Sequence, residues 1–143
     1  MVPKTFTDEE IATSRLFIIK NVHKNSIFSS SSLRGNPYTT YQNLVANIGY
    51  SIDDQIDGLN AGILAGETNR PELDKTGLLL SAVVVNHEDM RPGHGFFVFA
   101  QELEMLQVDG NPDPDGFEEL SFWTEQVKRI VRLYGKQVGR LIL

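Results

Sequence analysis

The 143-residue chain is 41% hydrophobic and 22% charged, carries a formal net charge of −6 and contains no cysteine. This size and composition predict one globular domain, and the lack of cysteine excludes disulfides, thiolate metal sites and cysteine nucleophiles. No apolar run approaches the roughly 20 residues of a membrane-spanning helix, and the N-terminus lacks a secretory signal, so we expect a cytoplasmic protein without membrane contact.

The N-terminal part of the chain is predicted to form a helix over residues 8–24. Thr7 is a suitable N-cap, and Glu10 three residues later completes a capping box. Apolar side chains then recur at helical spacing as far as Val22. The next segment, residues 25–37, contains four consecutive serines, a glycine and a proline, and it is predicted to be a loop.

Two further helices are predicted in the middle of the chain, over residues 38–50 and 51–69. Each has an apolar stripe at helical spacing, and Gly49 ends the first of them. Gly58 and Gly62 weaken the second helix, but their spacing of four residues allows another backbone to approach closely. Two short helices with a glycine between them have the outline of a helix-turn-helix.

A polar stretch, residues 65–77, separates these helices from two apolar segments, 78–86 and 95–100. The first apolar segment is rich in β-branched residues and is predicted to be a strand. Together the two segments could form a short β-hairpin. The three-residue spacing of the later apolar side chains instead favours a helix from about residue 96.

The C-terminal part is predicted to consist of a loop, residues 109–116, and a long helix, residues 117–142. That helix begins with acidic and ends with basic side chains, and both suit its dipole. The loop matches the opening of an EF-hand calcium loop from Asn111, but the twelfth position is Phe122 instead of glutamate. We therefore interpret the loop as an acidic turn before a helix.

These elements predict an α+β fold: a mostly helical single domain, residues 1–143, with a short β-hairpin or small sheet. Its parts are an N-terminal helix with a serine loop (1–36), a core (37–100) and a C-terminal helix (117–143). Residues 37–125 hold sixteen acidic and three basic side chains, so the excess of positive charge lies at the two ends of the chain. An acidic body repels phosphate backbones, and nucleic-acid binding would have to use the ends.

One segment, VVVNHEDMRPGHGFF, concentrates polar side chains at the end of the predicted strand. Its histidines and carboxylates could form the site of a metal-dependent hydrolase, but a third histidine and a helical ligand spacing are missing. Asparagine, aspartate, proline and glycine are also the residues of tight turns, so we favour a structural turn that contributes to binding. The polar side chains that this segment gathers are Asn86, His87, Glu88, Asp89, Arg91 and His94.

A remote family resemblance covers about residues 36–95. The stretch NPYTTYQNLVANIGYS resembles the entry to the winged-helix DNA-binding domain of the alkylguanine alkyltransferases and alkyltransferase-like proteins. In that family a V-T-T-Y-G-E-L-A-like segment starts the first helix, a recognition helix follows, and an apolar strand leads into a Pro-Cys-His-Arg active-site segment. Here those places are taken by TTYQNLVANIG, SIDDQIDGLNAGIL and LLLSAVVVNHED. The resemblance implies a winged-helix-like centre and DNA binding.

The chain departs from that family at its functional positions. Asn86 stands where the family has its reactive cysteine, and His87 stands on the family's histidine, so alkyl transfer is excluded. The family's recognition helix carries an arginine that supports a flipped base, whereas the matching segment here carries Asp53, Asp54 and Asp57. The combination YTTYQNLVANIG…LLSAVVVN…PGHGFF also resembles small, uncharacterised bacterial or prophage proteins, which implies no activity.

Three functional hypotheses follow from these observations. The first is a non-enzymatic binding module of a bacterial or phage system that contacts DNA or RNA. The second is an adaptor or inhibitor whose acidic helix face meets a basic protein partner. The third is a metal-dependent hydrolase that uses the segment from His87 to His94. Nucleotide-binding and nucleophile motifs are absent, so no catalytic residue, metal site or cofactor is predicted. The binding residues expected under the first hypothesis are Asn86, His87, Arg91, His94, Arg34, Lys128 and Arg132. Lys20 and Lys24 are further candidates for contact with nucleic acid.

Overall fold

The computed structural model describes residues 4–28, 36–52 and 56–135 of the chain. Within these ranges the protein is mostly helical and contains one small sheet, which confirms the α+β prediction at this level. None of the helices in these ranges is long and apolar enough to cross a bilayer. The predictions that lie outside the described residues concern Arg34 of the serine loop, the acidic pair Asp53 and Asp54, and the end of the C-terminal helix from residue 136 onwards.

The first helix, α1 (Asp8–Phe28), begins with the predicted capping box. The Thr7 amide donates to the Glu10 carboxylate at 2.9 Å, and the Glu10 amide donates to the Thr7 hydroxyl at 3.0 Å. The bond from the Thr7 amide holds the pKa of Glu10 below its ordinary value. Ile18 and Val22 on the inner face of α1 are fully buried. The predicted N-terminal helix is therefore confirmed.

The small sheet consists of β1 (Thr39–Thr40) and β2 (Val84–Val85), which pair in parallel. A tight turn cannot join two parallel strands, so a long connection is needed. Here that connection begins with α2 (Tyr41–Ala46) and continues through further helical segments. The hairpin alternative is therefore wrong, and the small-sheet alternative is confirmed.

The helices α2 and α3 (Gly58–Glu67) each begin at a side-chain cap. The hydroxyl of Thr40 accepts from a backbone amide three residues later at 3.1 Å, and the carboxylate of Asp57 does the same at 2.8 Å. Because Asp57 caps α3, this helix begins later than the predicted helix over residues 51–69. One of the three acidic residues of the proposed binding face is thus occupied in capping.

A helix that the sequence analysis missed, α4 (Asn69–Thr76), follows α3 directly. Its sequence is mostly polar, so no apolar stripe marks it. Pro71 lies in its first turn, where the missing amide breaks no intrahelical hydrogen bond. Gly77 ends the helix with a φ of 73°, a left-handed conformation that favours glycine. The polar stretch predicted over residues 65–77 is corrected to a helix.

The apolar run after α4 is mostly not a strand. Leu80–Val83 forms a 3₁₀ turn, and within this run only β2 pairs as a strand. Every side chain from Leu78 to Val85 is buried, and an apolar run without alternation does not distinguish a strand from a buried turn. The next helix, α5 (His94–Glu102), confirms the helix predicted from about residue 96.

The last described helix, α6 (Phe117–Ile130), begins where the sequence predicted and continues into a π-helical turn, Val131–Gly135. α6 is fastened to the 3₁₀ turn region by two hydrogen bonds. The Trp123 indole donates to the Ala82 carbonyl at 2.8 Å. The Gln126 side-chain oxygen accepts from the buried Leu79 amide at 3.0 Å. The π-helical turn packs against α1, so the two ends of the described chain meet in one core.

A buried carboxylate, Glu72 of α4, connects three elements of this core, and its side chain is 0% exposed. Arg15 of α1 contacts its Oε1 through Nε and a terminal guanidinium nitrogen, each at 2.9 Å. The Thr76 hydroxyl donates to Oε2 at 2.8 Å, and the Tyr134 hydroxyl donates to the same oxygen. Burial, reinforced by this bond to Glu72, raises the pKa of Tyr134 to about 12. We call these four residues the Glu72 network.

Candidate functional site

The site lies at the edge where both strands of the sheet end. Tyr41 directly follows β1, and Asn86 directly follows β2. Because the carboxyl ends of parallel strands meet at the same edge of a sheet, these two residues are brought together, and crevices at such edges commonly bind ligands. Tyr41 and Asn86 line two neighbouring cavities, which also share Ile52.

The larger cavity, which we call the α3–α5 groove, has a volume of about 590 Å³ and lies between those two helices. This volume falls within the range of small-ligand sites, about 300–1,000 Å³. The groove is open along its length, since Leu59 on its rim is 55% exposed and Gly62 and Gly95 are exposed as well. Its apolar side chains are those of Ile52, Leu59, Ile63, Phe96, Val98 and Phe99.

Three glycines interrupt the side chains along the α3 wall of the groove. Gly58, Gly62 and Gly66 are spaced four residues apart along α3, and all three line the groove. A Cβ added at any of them would meet no other atom within 4 Å. The stretch from Gly58 to Gly66 is about 12 Å long at the helical rise per residue. The sequence analysis predicted that this glycine spacing allows close approach of a backbone, and the structure leaves room there for one.

Two buried polar residues form the floor of the groove. The Asn69 side chain donates to the Ser81 hydroxyl at 2.8 Å, and the Ser81 amide donates back to the Asn69 side-chain oxygen at 2.9 Å. This pair joins the start of α4 to the 3₁₀ turn. Neither residue was among the predicted binding residues. The available signal was Ser81, a single polar residue inside an otherwise apolar run of eight.

The smaller cavity, which we call the polar hollow, has a volume of about 340 Å³. It is continuous with the groove at Tyr41, Ile52 and Asn86. Its other lining residues are all polar, namely Thr40, Gln42, His87, Glu88 and Asp89. The site therefore has an apolar part and a polar part, with Tyr41 and Asn86 between them.

The segment that begins at Asn86 is a tight turn, as its residue types indicated. The Met90 amide donates to the Asn86 carbonyl at 2.9 Å, and the Asn86 amide donates to the Arg91 carbonyl at 2.8 Å. The Arg91 amide donates to the Asp89 side chain at 3.0 Å. Met90 adopts a φ of 58°, a left-handed conformation of the kind found in tight turns. The turn presents His87 and Glu88 to solvent at the polar hollow.

The start of α5 is anchored on both sides. The Gly93 amide donates to the Tyr41 hydroxyl at 2.9 Å. Burial raises the pKa of Tyr41 above its ordinary value, so the phenol is protonated at neutral pH. On the other side, Nε2 of His94 lies 3.0 Å from the Pro112 carbonyl. A carbonyl oxygen can only accept, so this ring nitrogen carries the proton.

The predicted binding residues fall into separate groups. Asn86 and His94 line the groove, and His87 lines the polar hollow. Arg91 forms an ion pair with Asp115 and thereby ties the turn to the loop before α6. Lys128 and Arg132 are exposed on α6 and the π-helical turn, and neither lines either cavity. The structure therefore does not unite the predicted residues into one site.

Among the described residues, no three histidine, aspartate or glutamate side chains converge in a way that could hold a metal ion. Comparison with known proteins adds no further assignment, since no family model, curated protein or solved structure matches this chain. The groove and the polar hollow are thus the features from which a function can be inferred.

Proposed function

We propose that this protein is a non-enzymatic binding module whose ligand occupies the α3–α5 groove. The observation that carries the proposal is the groove itself, with its volume of about 590 Å³ and its mostly apolar lining. Natural ligand sites combine an apolar cavity with a few well-placed polar groups. Here those groups are Asn86 and His94 at one end and the Asn69–Ser81 pair on the floor.

The polar groups around the groove support binding better than catalysis. His94 donates to the Pro112 carbonyl, and Asp89 accepts from the Arg91 amide. Tyr41 accepts from the Gly93 amide, and its raised pKa keeps it protonated. These bonds give the three side chains structural roles in the turn and at the start of α5. The hydrolase hypothesis also gains no support from the described residues, because no metal-ligand cluster is found among them.

Filling the groove tests the proposal. Gly62→Leu places an apolar side chain in the open space above α3, where an added Cβ meets nothing within 4 Å. Replacing a helical glycine by a good helix former favours the helix by about 0.5–1 kcal/mol, so we expect this variant to fold. A matched control is Ala12→Leu, which adds the same side chain to an exposed position of α1 outside the groove.

The probe for this test is indole, an apolar ring with one N–H donor, followed by amide chemical shifts in NMR spectra of the full chain. We expect indole to shift the amides of Ile63, Val98 and Phe99, which line the groove. The shifts should disappear in Gly62→Leu and persist in Ala12→Leu. Shifts scattered over the surface, or shifts unchanged by Gly62→Leu, would remove the basis for the proposal.

A second candidate function is nucleic-acid binding through a basic surface away from the groove. Its support is that the C-terminal half of α1 lies against the π-helical turn, where Nδ1 of His23 is 3.1 Å from the Tyr134 carbonyl oxygen. These two elements and the end of α6 carry exposed cations that contact no acid in the described structure. They are Lys20, Lys24, Lys128 and Arg132. The resemblance to alkyltransferase-like domains remains a prediction, and the segment it covers includes none of these four residues.

The second candidate is tested by binding of labelled double-stranded DNA and single-stranded RNA at several salt concentrations. We expect affinity to fall steeply with salt, and Arg132→Glu to weaken binding at all sequences. Arg70→Glu is the control, since Arg70 is an exposed arginine beside the groove. The absence of binding to either nucleic acid at low salt would eliminate this candidate.

A further inference from the structure

We infer that the ligand of the α3–α5 groove is a basic amphipathic helix of a partner protein. This inference rests on the proposed function and names the class of ligand. Three features of the site lead to it: an open apolar groove between two helices, three glycines along one wall, and an acidic rim. Each of them constrains the occupant in a different way.

The shape of the groove favours a helix over a small molecule. Small ligands are usually enclosed, with about 70–90% of their surface buried. This groove is instead open on one side along its length, where Leu59, Gly62 and Gly95 are exposed. Its walls, α3 and α5, contact each other, so a third helix can lie in the furrow between them. An amphipathic helix that lays its apolar face into a groove is a common mode of peptide recognition.

The glycine wall determines how closely that helix can approach. Gly58, Gly62 and Gly66 expose the backbone of α3 over about two turns, with nothing within 4 Å of an added Cβ. Small residues at this spacing let two helix backbones come close together, as in tightly packed helix pairs. The apolar side chains of the partner would then reach Ile63 and Phe99 beyond the glycine wall.

The charge around the groove determines which charge a partner must carry. Glu67 and Glu102 line the groove, and Glu88 and Asp89 line the polar hollow next to it. Among the residues that the structure describes, Arg70 is the one arginine or lysine that lines either cavity, and it lies 3.6 Å from the Glu67 carboxylate. The rim is therefore acidic. A helix with lysine or arginine beside its apolar face complements it, whereas a nucleic-acid backbone is repelled.

The inference is tested with a fluorescein-labelled peptide of 14 residues built from leucine and lysine, with the leucines at helical i, i+3, i+4 and i+7 spacing. One comparison peptide keeps the leucine positions and replaces every lysine by glutamate. A second keeps the composition but scrambles the leucine spacing. Binding to the full chain is measured by fluorescence anisotropy. We expect the leucine–lysine peptide to bind at least about tenfold more tightly than either comparison peptide.

Protein variants place the peptide in the groove. Gly62→Leu should weaken binding at least about tenfold because it fills the space at the glycine wall. Neutralising two rim charges with Glu88→Gln and Glu102→Gln should weaken it about tenfold, or about threefold per charge. The matched control is Glu104→Gln with Glu118→Gln, which removes the same charge from exposed positions that line neither cavity. We expect this control to bind within about twofold of the unaltered protein.

Several outcomes would overturn the inference. Equal binding of the glutamate peptide removes the charge argument, and equal binding of the scrambled peptide removes the helical one. A dimer of the chain that is lost in Gly62→Leu would identify a second copy as the occupant. If the peptides fail to bind while indole still shifts the groove amides, the binding module stands and the helical partner does not. If indole also fails, the proposed function itself is wrong.

Discussion

The Glu72 network and the turn from Asn86 to Arg91 both gather polar and charged side chains, but the protein uses them in opposite ways. In the network the Glu72 carboxylate is fully buried and is contacted by Arg15, Thr76 and Tyr134. In the turn, His87, Glu88 and Asp89 are exposed beside a cavity. A buried charge must be paired because its desolvation is costly, and such a pair contributes to stability only while it is complete. Exposed polar groups beside a groove remain accessible to a ligand.

The largest effect is expected from the network. Glu72→Ala leaves the guanidinium of Arg15, which is 15% exposed, without its carboxylate, and it leaves the Tyr134 hydroxyl without its acceptor. The Thr76 hydroxyl keeps the backbone carbonyl of residue 72 as an acceptor at 3.0 Å. We expect the free energy of unfolding to fall by about 3–5 kcal/mol, measured by urea denaturation. Asp74→Ala, an exposed position of the same helix, is the control and should cost no more than about 0.5 kcal/mol.

If Glu72→Ala does not fold, Glu72→Gln provides the same comparison, because its amide retains an acceptor oxygen but loses the charge. A loss in either variant no larger than that of Asp74→Ala would show that the network is not a main source of stability.

A smaller effect is expected from Tyr134→Phe. Near neutral pH this change removes one hydrogen bond to a carboxylate, worth about 1.5–3 kcal/mol. The pKa of Tyr134 is raised from 10.0 to about 12 in the folded chain. The unfolded chain therefore loses this proton first, and stability falls as the pH rises from about 10 to about 12. In the variant the stability should decline less over this range, although Tyr38 and Tyr41, whose pKa values burial also raises, maintain part of the decline.

Denaturation series between pH 8 and pH 12 would measure this dependence. An identical slope in the variant and the unaltered protein would contradict the burial and pairing of Tyr134.

The smallest effects on stability are expected from substitutions of His87 and His94, the two histidines of the segment VVVNHEDMRPGHGFF. His94→Ala removes the bond to the Pro112 carbonyl and should cost about 1 kcal/mol. It should also speed amide exchange in the loop over residues 109–116. His87→Ala changes an exposed residue and should alter stability by no more than about 0.5 kcal/mol. If His87→Ala is the more destabilising change, the turn is not the surface feature described above.

The predictions that the structure confirms concern local features. The capping box of α1 and the tight turn at Asn86 each depend on groups within a few residues of one another. The helix α4 was missed because its stability does not come from an apolar stripe. Its inner face is polar, and Glu72 becomes a core residue only through partners 57 and 62 positions away in the sequence.

The candidate site likewise combines features that the local sequence indicated with features that depend on contacts between distant segments. The sequence singled out Asn86, His87 and His94 from their crowding and noted the spacing of Gly58 and Gly62. It did not indicate that these two segments line the same groove, because no local pattern encodes the contact between α3 and α5. The binding residues predicted from the sequence also do not form one site, because Lys128 and Arg132 do not line the groove.

The sequence by itself determined the class of the fold, the helices with caps or apolar stripes, and the acidic character of the body, because these depend on composition and on neighbours along the chain. The tertiary structure decided the parallel pairing of β1 with β2, which brings Tyr41 beside Asn86. It also decided which carboxylates are buried in a network and which surround the groove. That distinction depends on whether the folded chain brings a cation such as Arg15 to the carboxylate, and distance along the sequence does not reveal it.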